Sequence, residues 1–367
     1  MKNSFFILLV ICLPVRLLAQ QVSVPFDSKR WHTKGAEYSL ENYKGKESIF
    51  LEKGHIYLED VDFLNGTIEV DINFPQHRAF HGISFRLQDD NNYEDFYIRP
   101  HQSGNPDANQ YTPVFNGFAG WQLYYGAAYA VPIKYEFNEW HTVKIVVLNK
   151  QAQIYFDNME EPVLHIEELK RDVKGGKIGV RTFVGPVHFA NFRYTLHEPE
   201  LKSDDIEIAT LSENVIQNWQ VSNSFPEKLV GELVTLPKSF KEKLSWQDVK
   251  VTSEGHVNLA KYASTKKTDN TVISAIDIES EEEQIKKINF GFSDKVKVYL
   301  NDQLLYEGND TFVSRDYRFL GTVGFYDALY LPLKKGKNTL YFAVNERMGG
   351  WAVQAKFENM EGISLTQ

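Results

Sequence analysis

Cysteine is almost missing from this chain: there is one, Cys12, in 367 residues. That excludes a disulfide framework and a cysteine-rich zinc site, and a thiol nucleophile is not expected because Cys12 lies in the N-terminal apolar run. Positive charge is short as well. Forty Lys and Arg face 49 Asp and Glu, for a net charge of −9. A nucleic-acid partner is therefore not expected, since a phosphate backbone is neutralised by Lys and Arg. Beyond the N-terminus no apolar run is long enough for a membrane-spanning helix. There is no glycine-rich phosphate loop and no Gly-x-Ser-x-Gly elbow. The ten histidines are scattered, and His77 and His81 flank a turn rather than share a helix face. No transition-metal site is expected from that pattern. Oxygen donors do cluster on loops, at Asp89-Asp90-Asn91-Asn92 and Asn309-Asp310. A structural calcium ion, if one is held, is expected there; an ordinary Asx-rich turn explains the same residues.

What is abundant is aromatic: 25 Phe, 19 Tyr and 6 Trp. Strands favour such residues, and so do surfaces that stack on sugars. The N-terminus has the form of a signal peptide over residues 1–19. Lys2 gives the positive start, Phe5 to Leu13 the apolar core, and Leu17-Leu18-Ala19 a small residue before the cut. The expected location is secreted or periplasmic. Without cysteine, an exported chain must rely on its core, which suits large domains.

From about residue 30 the side chains alternate as in strands. Thr67 to Phe74, Gly82 to Gln88 and Thr142 to Val147 do so cleanly. A second set of strands is expected over 271–279, 287–292, 295–300, 339–344 and 351–357, with the charged run 281–287 as a solvated loop or a short exposed turn. Residues 197–210 are polar and acidic and carry Pro199. They are the expected linker between an all-β domain over 22–196 and another over 211–367. Each half is expected to be an antiparallel β-sandwich.

Over about 50–194, "GTIEVDINF", "HGISFRLQDDNNYEDFYIRPHQSG", "WHTVKIVV" and "GKIGVRTFVGPVHFANFRY" resemble the concanavalin A-like (laminin-G-like) jelly roll. Over about 215–360, "FGFSDKVKVYLNDQLLYEG" and "LYLPLKKGKNTLYFAVNERMGGWAVQAKFE" resemble a galactose-binding-like jelly roll. The first resemblance covers lectins, glycan-binding modules and glycosidases, so it leaves activity open. In laminarinase-type glycosidases of that superfamily one strand carries Glu-x-Asp-x-(x)-Glu, with the outer two as nucleophile and general acid. Here Glu69 and Asp71 match, but Asn73 and Phe74 stand where the last carboxylate belongs. The simpler reading of Glu69 and Asp71 is the polar face of an amphipathic strand. His101 is a further weak catalytic candidate.

The richer constellation lies just downstream. Tyr97, Arg99 and His101 share a strand face, with Arg86 on the polar face of the preceding strand. The long segment 101–120 and its sequel add Gln110, Asn116, Trp121 and Gln122. Planar hydrogen-bonding groups and aromatic faces are what a sugar's hydroxyls and C–H surface require. Arg86, Arg99 and His101 would also suit a carboxylate or sulfate on the sugar. The bland alternative makes Tyr97 and Trp121 core residues and pairs Arg99 with Asp95 or Asp107. The leading expectation is a secreted protein that binds a glycan or oligosaccharide on this face. A glycoside hydrolase or polysaccharide lyase using the same face is the rival, and a structural or adhesive surface protein the third reading.

Overall fold

The computed structural model describes residues 20–202, 211–264, 266 and 268–366. The expected signal peptide, 1–19, and most of the expected linker, 203–210, lie outside the described residues. Two sets of antiparallel sheets, over 22–195 and 218–366, make an all-β protein.

The first set is a two-layer sandwich organised by one long strand, Lys46–Leu58, whose two ends belong to different layers. Its first half pairs with Glu37–Tyr43 and Val187–Thr195, and beyond the latter come Gly66–Asn73, His141–Leu148, Gln151–Phe156 and Leu164–Ile166. Its second half pairs with Trp31–His32 and Lys177–Phe183, followed by Phe80–Asp89, Asn92–Ile98, Asn109–Phe115 and Phe118–Ala119. The crossover is at Gly54, whose φ of +113° suits glycine and where a Cβ would sit 2.8 Å from the Ala36 backbone.

Period-two alternation builds the core between these layers. Ile68, Val70 and Ile72 face inward from the first layer, and Ile83, Phe85, Phe96, Ile98, Ile178 and Val180 from the second. Each such side chain contributes about 1.5–3 kcal/mol by leaving water. The segment 101–120, expected as one long loop, contains a short 3-10 turn at Pro100–Gln102 and the strand Asn109–Phe115. Pro113 and the polar Gln110 and Thr112 hid that strand, because prolines read as strand breakers.

The second set is also a sandwich. One sheet runs Trp246–Lys250, Asn218–Ser222, Thr271–Ser280, Gly336–Asn345, Lys295–Leu300 and Gln303–Asn309, with Ile363–Thr366 also on Thr271–Ser280. The other runs Val257–Asn258, Ala352–Phe357, Gln284–Ser293 and Asp327–Leu333. Trp219, Phe290, Phe292, Phe342 and Trp351 fill the space between. The charged run expected to be a loop over 281–287 is strand from Gln284 onward, paired with Asp327–Leu333.

The sandwiches meet through residues 115–125 of the first. Phe115 and Phe118 pack on the second core, and Phe118 lies edge-on to Trp351 with ring centres 5.3 Å apart. Gln122 is fully buried there. Its backbone N–H donates to Gly349 O (2.8 Å), its amide to Leu320 O (2.8 Å), and its carbonyl oxygen accepts from the Ser293 hydroxyl (3.1 Å). Three glycines of the second sandwich make room. A Cβ on Gly321 would be 2.3 Å from Gln122 Nε2, on Gly349 2.4 Å from Gln122 Cδ, and on Gly350 2.0 Å from Leu123 Cδ1. Beside it, Lys170 pairs with Glu254 (2.5 Å) and Glu168 (2.8 Å), joining the same two units.

Candidate functional site

The residues opposite the core on the second layer of the first sandwich form the candidate site. Where Ile83, Phe96 and Val180 point inward, Gly82, Ser84, Asp95, Tyr97 and Arg181 point outward. Arg181 lies flat over Gly82, where a Cβ would stand 2.7 Å from its Nε. It donates through two nitrogens to the buried carboxylate of Asp95, the Nε contact being 3.1 Å. This bidentate pair holds the guanidinium in the plane of the Asp95 carboxylate.

Planar groups then follow one another across the strands. His32 stacks on Tyr57 (4.7 Å), Tyr57 is edge-on to His55 (5.6 Å), and His55 is next to Tyr93 (5.2 Å). Tyr97 lies between two guanidiniums, Arg181 at 5.8 Å and Arg99 at 4.9 Å, and Arg99 continues to the Trp121 ring at 5.8 Å. His55 Nε2 shares a hydrogen bond of 2.6 Å with the Ser84 hydroxyl. Burial, with help from the Arg181 charge, pushes the His55 imidazole down to about 3, so it is neutral at ordinary pH. At one end Phe80 is flanked by His101 (5.3 Å) and Phe183 (6.3 Å), the latter 64 % exposed at the end of Lys177–Phe183. Burial and the charges of Arg78 and Arg99 also lower the His101 imidazole.

Tyr97, Arg99, His101 and Trp121 are brought together here. Arg99 is committed to neighbours: it pairs with Asp107 (2.8 Å) and donates to Gln110 Oε1 (2.6 Å) and to the Tyr97 hydroxyl. Its Nε and the Thr112 hydroxyl are enclosed without a partner among the described residues. Four of the expected ligand contacts are placed elsewhere. Arg86 is buried at 1 % exposure, because a bulge after Phe85 with φ +48° turns it inward. There it donates to Leu64 O (2.9 Å) and Asn149 O (2.6 Å). Gln110 fastens the loop to the sheet, its amide donating to Trp121 O (2.8 Å) and Tyr124 O. Asn116 donates to Ala260 O (2.9 Å) and Ala263 O (3.0 Å), and Gln122 is the junction residue described above.

The weak catalytic pair is on the other layer. Asp71, at 4 % exposure, takes hydrogen bonds from Lys46 (2.6 Å), Thr142 (2.8 Å) and Asn191 (2.6 Å). Glu69 takes them from Arg193 (3.2 Å) and Gln21 (3.0 Å). Both carboxylates are held by cations and amides on the polar face of Gly66–Asn73. On the loops, Asp89 accepts from Asn91 N (2.8 Å) and Asn309 from Thr311 N (3.1 Å), as Asx turns do. Among the described residues no group of three or more His, Cys, Asp or Glu is arranged to hold a metal ion.

The face also contains Tyr93, which alternation puts on the side of Tyr97, and residues that were not anticipated: His55, Arg181, Phe80 and Phe183. Arg181 was legible. In "GKIGVRTF" the alternation puts Ile178 and Val180 inside and Arg181 outside. His55 had no such signal, because its strand changes layers at Gly54.

No protein-family model matches the sequence. No curated protein sequence matches it either. Among solved structures the chain is similar to the carbohydrate-binding module CBM66 from Bacillus subtilis, at 16 % identity over 45 % of this chain and 96 % of that one, with a TM-score of 0.36. It is similar to a galectin-like protein of unknown function from Bacillus subtilis, at 9 % identity over 48 % and 94 %, TM-score 0.35. A β-glucanase from Bacillus licheniformis gives 12 % identity over 48 % and 99 %, TM-score 0.35. Likenesses this distant assign no activity.

Proposed function

We propose that the chain is a carbohydrate-binding protein, acting outside the cytoplasm, whose ligand lies on the outer face of the second layer of the first sandwich. The observation that carries this reading is the set of partly exposed planar side chains on this face, His55, Tyr93, Arg181 and Trp121, backed by the buried Tyr97 and Arg99. Aromatic faces pack on the C–H surface of a sugar ring, and guanidinium and imidazole edges meet its hydroxyls.

Binding is favoured over hydrolysis by the carboxylates. A retaining glycosidase needs two carboxyl groups about 5–5.5 Å apart. On this face Asp95 is taken up by Arg181, and Glu69 and Asp71 belong to the opposite layer. The test is affinity electrophoresis of the full chain in gels containing laminarin, xylan, levan or alginate, with a reducing-sugar assay in parallel. Retardation without product release is the expected result. It should be weakened by Trp121→Ala and Tyr93→Ala, with far-UV spectra unchanged. Release of reducing ends, or retardation that both variants leave intact, refutes the reading.

A further inference from the structure

We infer that the saccharide surface does not stop at the edge of the first sandwich but continues onto the 309–326 loop of the second, so that the ligand is a chain of several sugar residues lying across the domain junction. The inference rests on the proposed carbohydrate reading and extends it from a single ring to an extended chain.

The row of planar groups ends at Trp121, and the next ring belongs to the other domain. Phe312 is 6.3 Å from Trp121, centre to centre, with the ring planes at 74°. Two rings so nearly perpendicular cannot both lie flat on the same sugar ring. Each offers a face to a different residue of a chain. Beyond Phe312 the loop stays open to solvent: Tyr317 is 82 % exposed, more than any other large apolar side chain of the described residues.

The loop is built rather than slack. Arg315 reaches inward to the carboxylates of Asp310 and Asp327, and its guanidinium lies 5.7 Å from the rings of Phe319 and of Tyr326. From the first sandwich, Gln122 grips Leu320 O and the Tyr125 hydroxyl donates to Val323 O (3.3 Å). These contacts fix Phe312 relative to Trp121. Gln122, expected from sequence as a ligand contact, acts here as a positioning residue.

The experiment compares lengths of ligand. The polymer among laminarin, xylan, levan and alginate that retards the full chain is taken as a disaccharide and as a hexasaccharide, and binding is measured by calorimetry for wild type, Phe312→Ala, Tyr317→Ala and Trp121→Ala. Phe312→Ala should weaken hexasaccharide binding roughly tenfold, the scale of one aromatic contact, and change disaccharide binding less than about twofold. Tyr317→Ala, at a site too exposed to disturb folding, should weaken only the hexasaccharide. Trp121→Ala should weaken both. If the second-domain variants bind the hexasaccharide like wild type while Trp121→Ala does not, the extension is wrong and the face itself stands. If Trp121→Ala binds the hexasaccharide normally, the extension fails because its anchor is not in the site; if no polymer retards the wild type, the carbohydrate reading fails and the extension with it.

Discussion

Replacing Gln122 by Ala should uncouple the two sandwiches. The side chain is fully buried and makes two hydrogen bonds across the junction, to Leu320 O at 2.8 Å and from the Ser293 hydroxyl at 3.1 Å. Each such bond is worth about 0.5–1.5 kcal/mol, and stranding its buried partner costs more than deleting both ends. The junction should therefore lose about 2–4 kcal/mol. The backbone bond from Gln122 to Gly349 O remains, as do the Lys170 pairs. For units of this size a loss of that order lowers Tm by about 5–15 °C. Calorimetry on the full chain should show one cooperative transition for wild type and two for the variant, the first at lower temperature. Gln122→Glu should behave at least as badly, since a buried carboxylate would face the Leu320 carbonyl. A single transition within about 1 °C of wild type would refute the assignment of Gln122 as the clamp.

Three other outcomes follow from geometry. Arg99→Ala should destabilise the first sandwich by about 2–4 kcal/mol in urea unfolding, because it strands Tyr97, Gln110 and Asp107 together; an unchanged midpoint would mean the network is not formed. Arg86→Met, which keeps the volume and removes the donors to Leu64 O and Asn149 O, should cost a similar amount and leave saccharide binding untouched; loss of binding in the folded variant would return Arg86 to the site. His256, buried at the junction, is pushed down to about 4, mainly by burial. Its folded value lies below its unfolded value of about 6.5, so the stability it contributes is complete above that pH and is lost as the pH falls toward 4. By pH 4 the loss is on the order of 3 kcal/mol. The slope of Tm against pH between 6.5 and 4 should therefore be shallower in His256→Gln, and an identical slope would contradict this.

Alternation made most of the sandwich legible. Strand Gly66–Asn73 reads directly from "GTIEVDIN", because a side-chain period of two survives any tertiary context that buries one face. Arg86 was misplaced by the one thing the period does not encode, an extra residue in the strand: everything after a bulge changes sides. Asn116 and Gln122 were misread for a different reason. The amides that suit a sugar's hydroxyls also suit backbone carbonyls of a neighbouring domain, and composition does not distinguish them. The missing clue was in the other half. Gly349 and Gly350 are adjacent glycines, a pair that permits close approach of another chain, and the chain that approaches is residues 122–123. His55 entered the site only once the sheet order was known, since 38 residues separate it from Tyr93 in sequence.

The strand Lys46–Leu58 threads both layers over 13 residues, and this has a bearing on how the first sandwich fluctuates. Two sheets joined only by loops can separate locally, one surrendering its amide protons to solvent while the other keeps them. Here such an opening must tear a backbone that is hydrogen-bonded on both sides of Gly54. Amides of Gly66–Asn73 and Lys177–Phe183, in different layers, should consequently exchange with deuterium at similar rates and through the same global opening. A face mounted on such a scaffold can adjust its side chains, while the backbone beneath it has little to give.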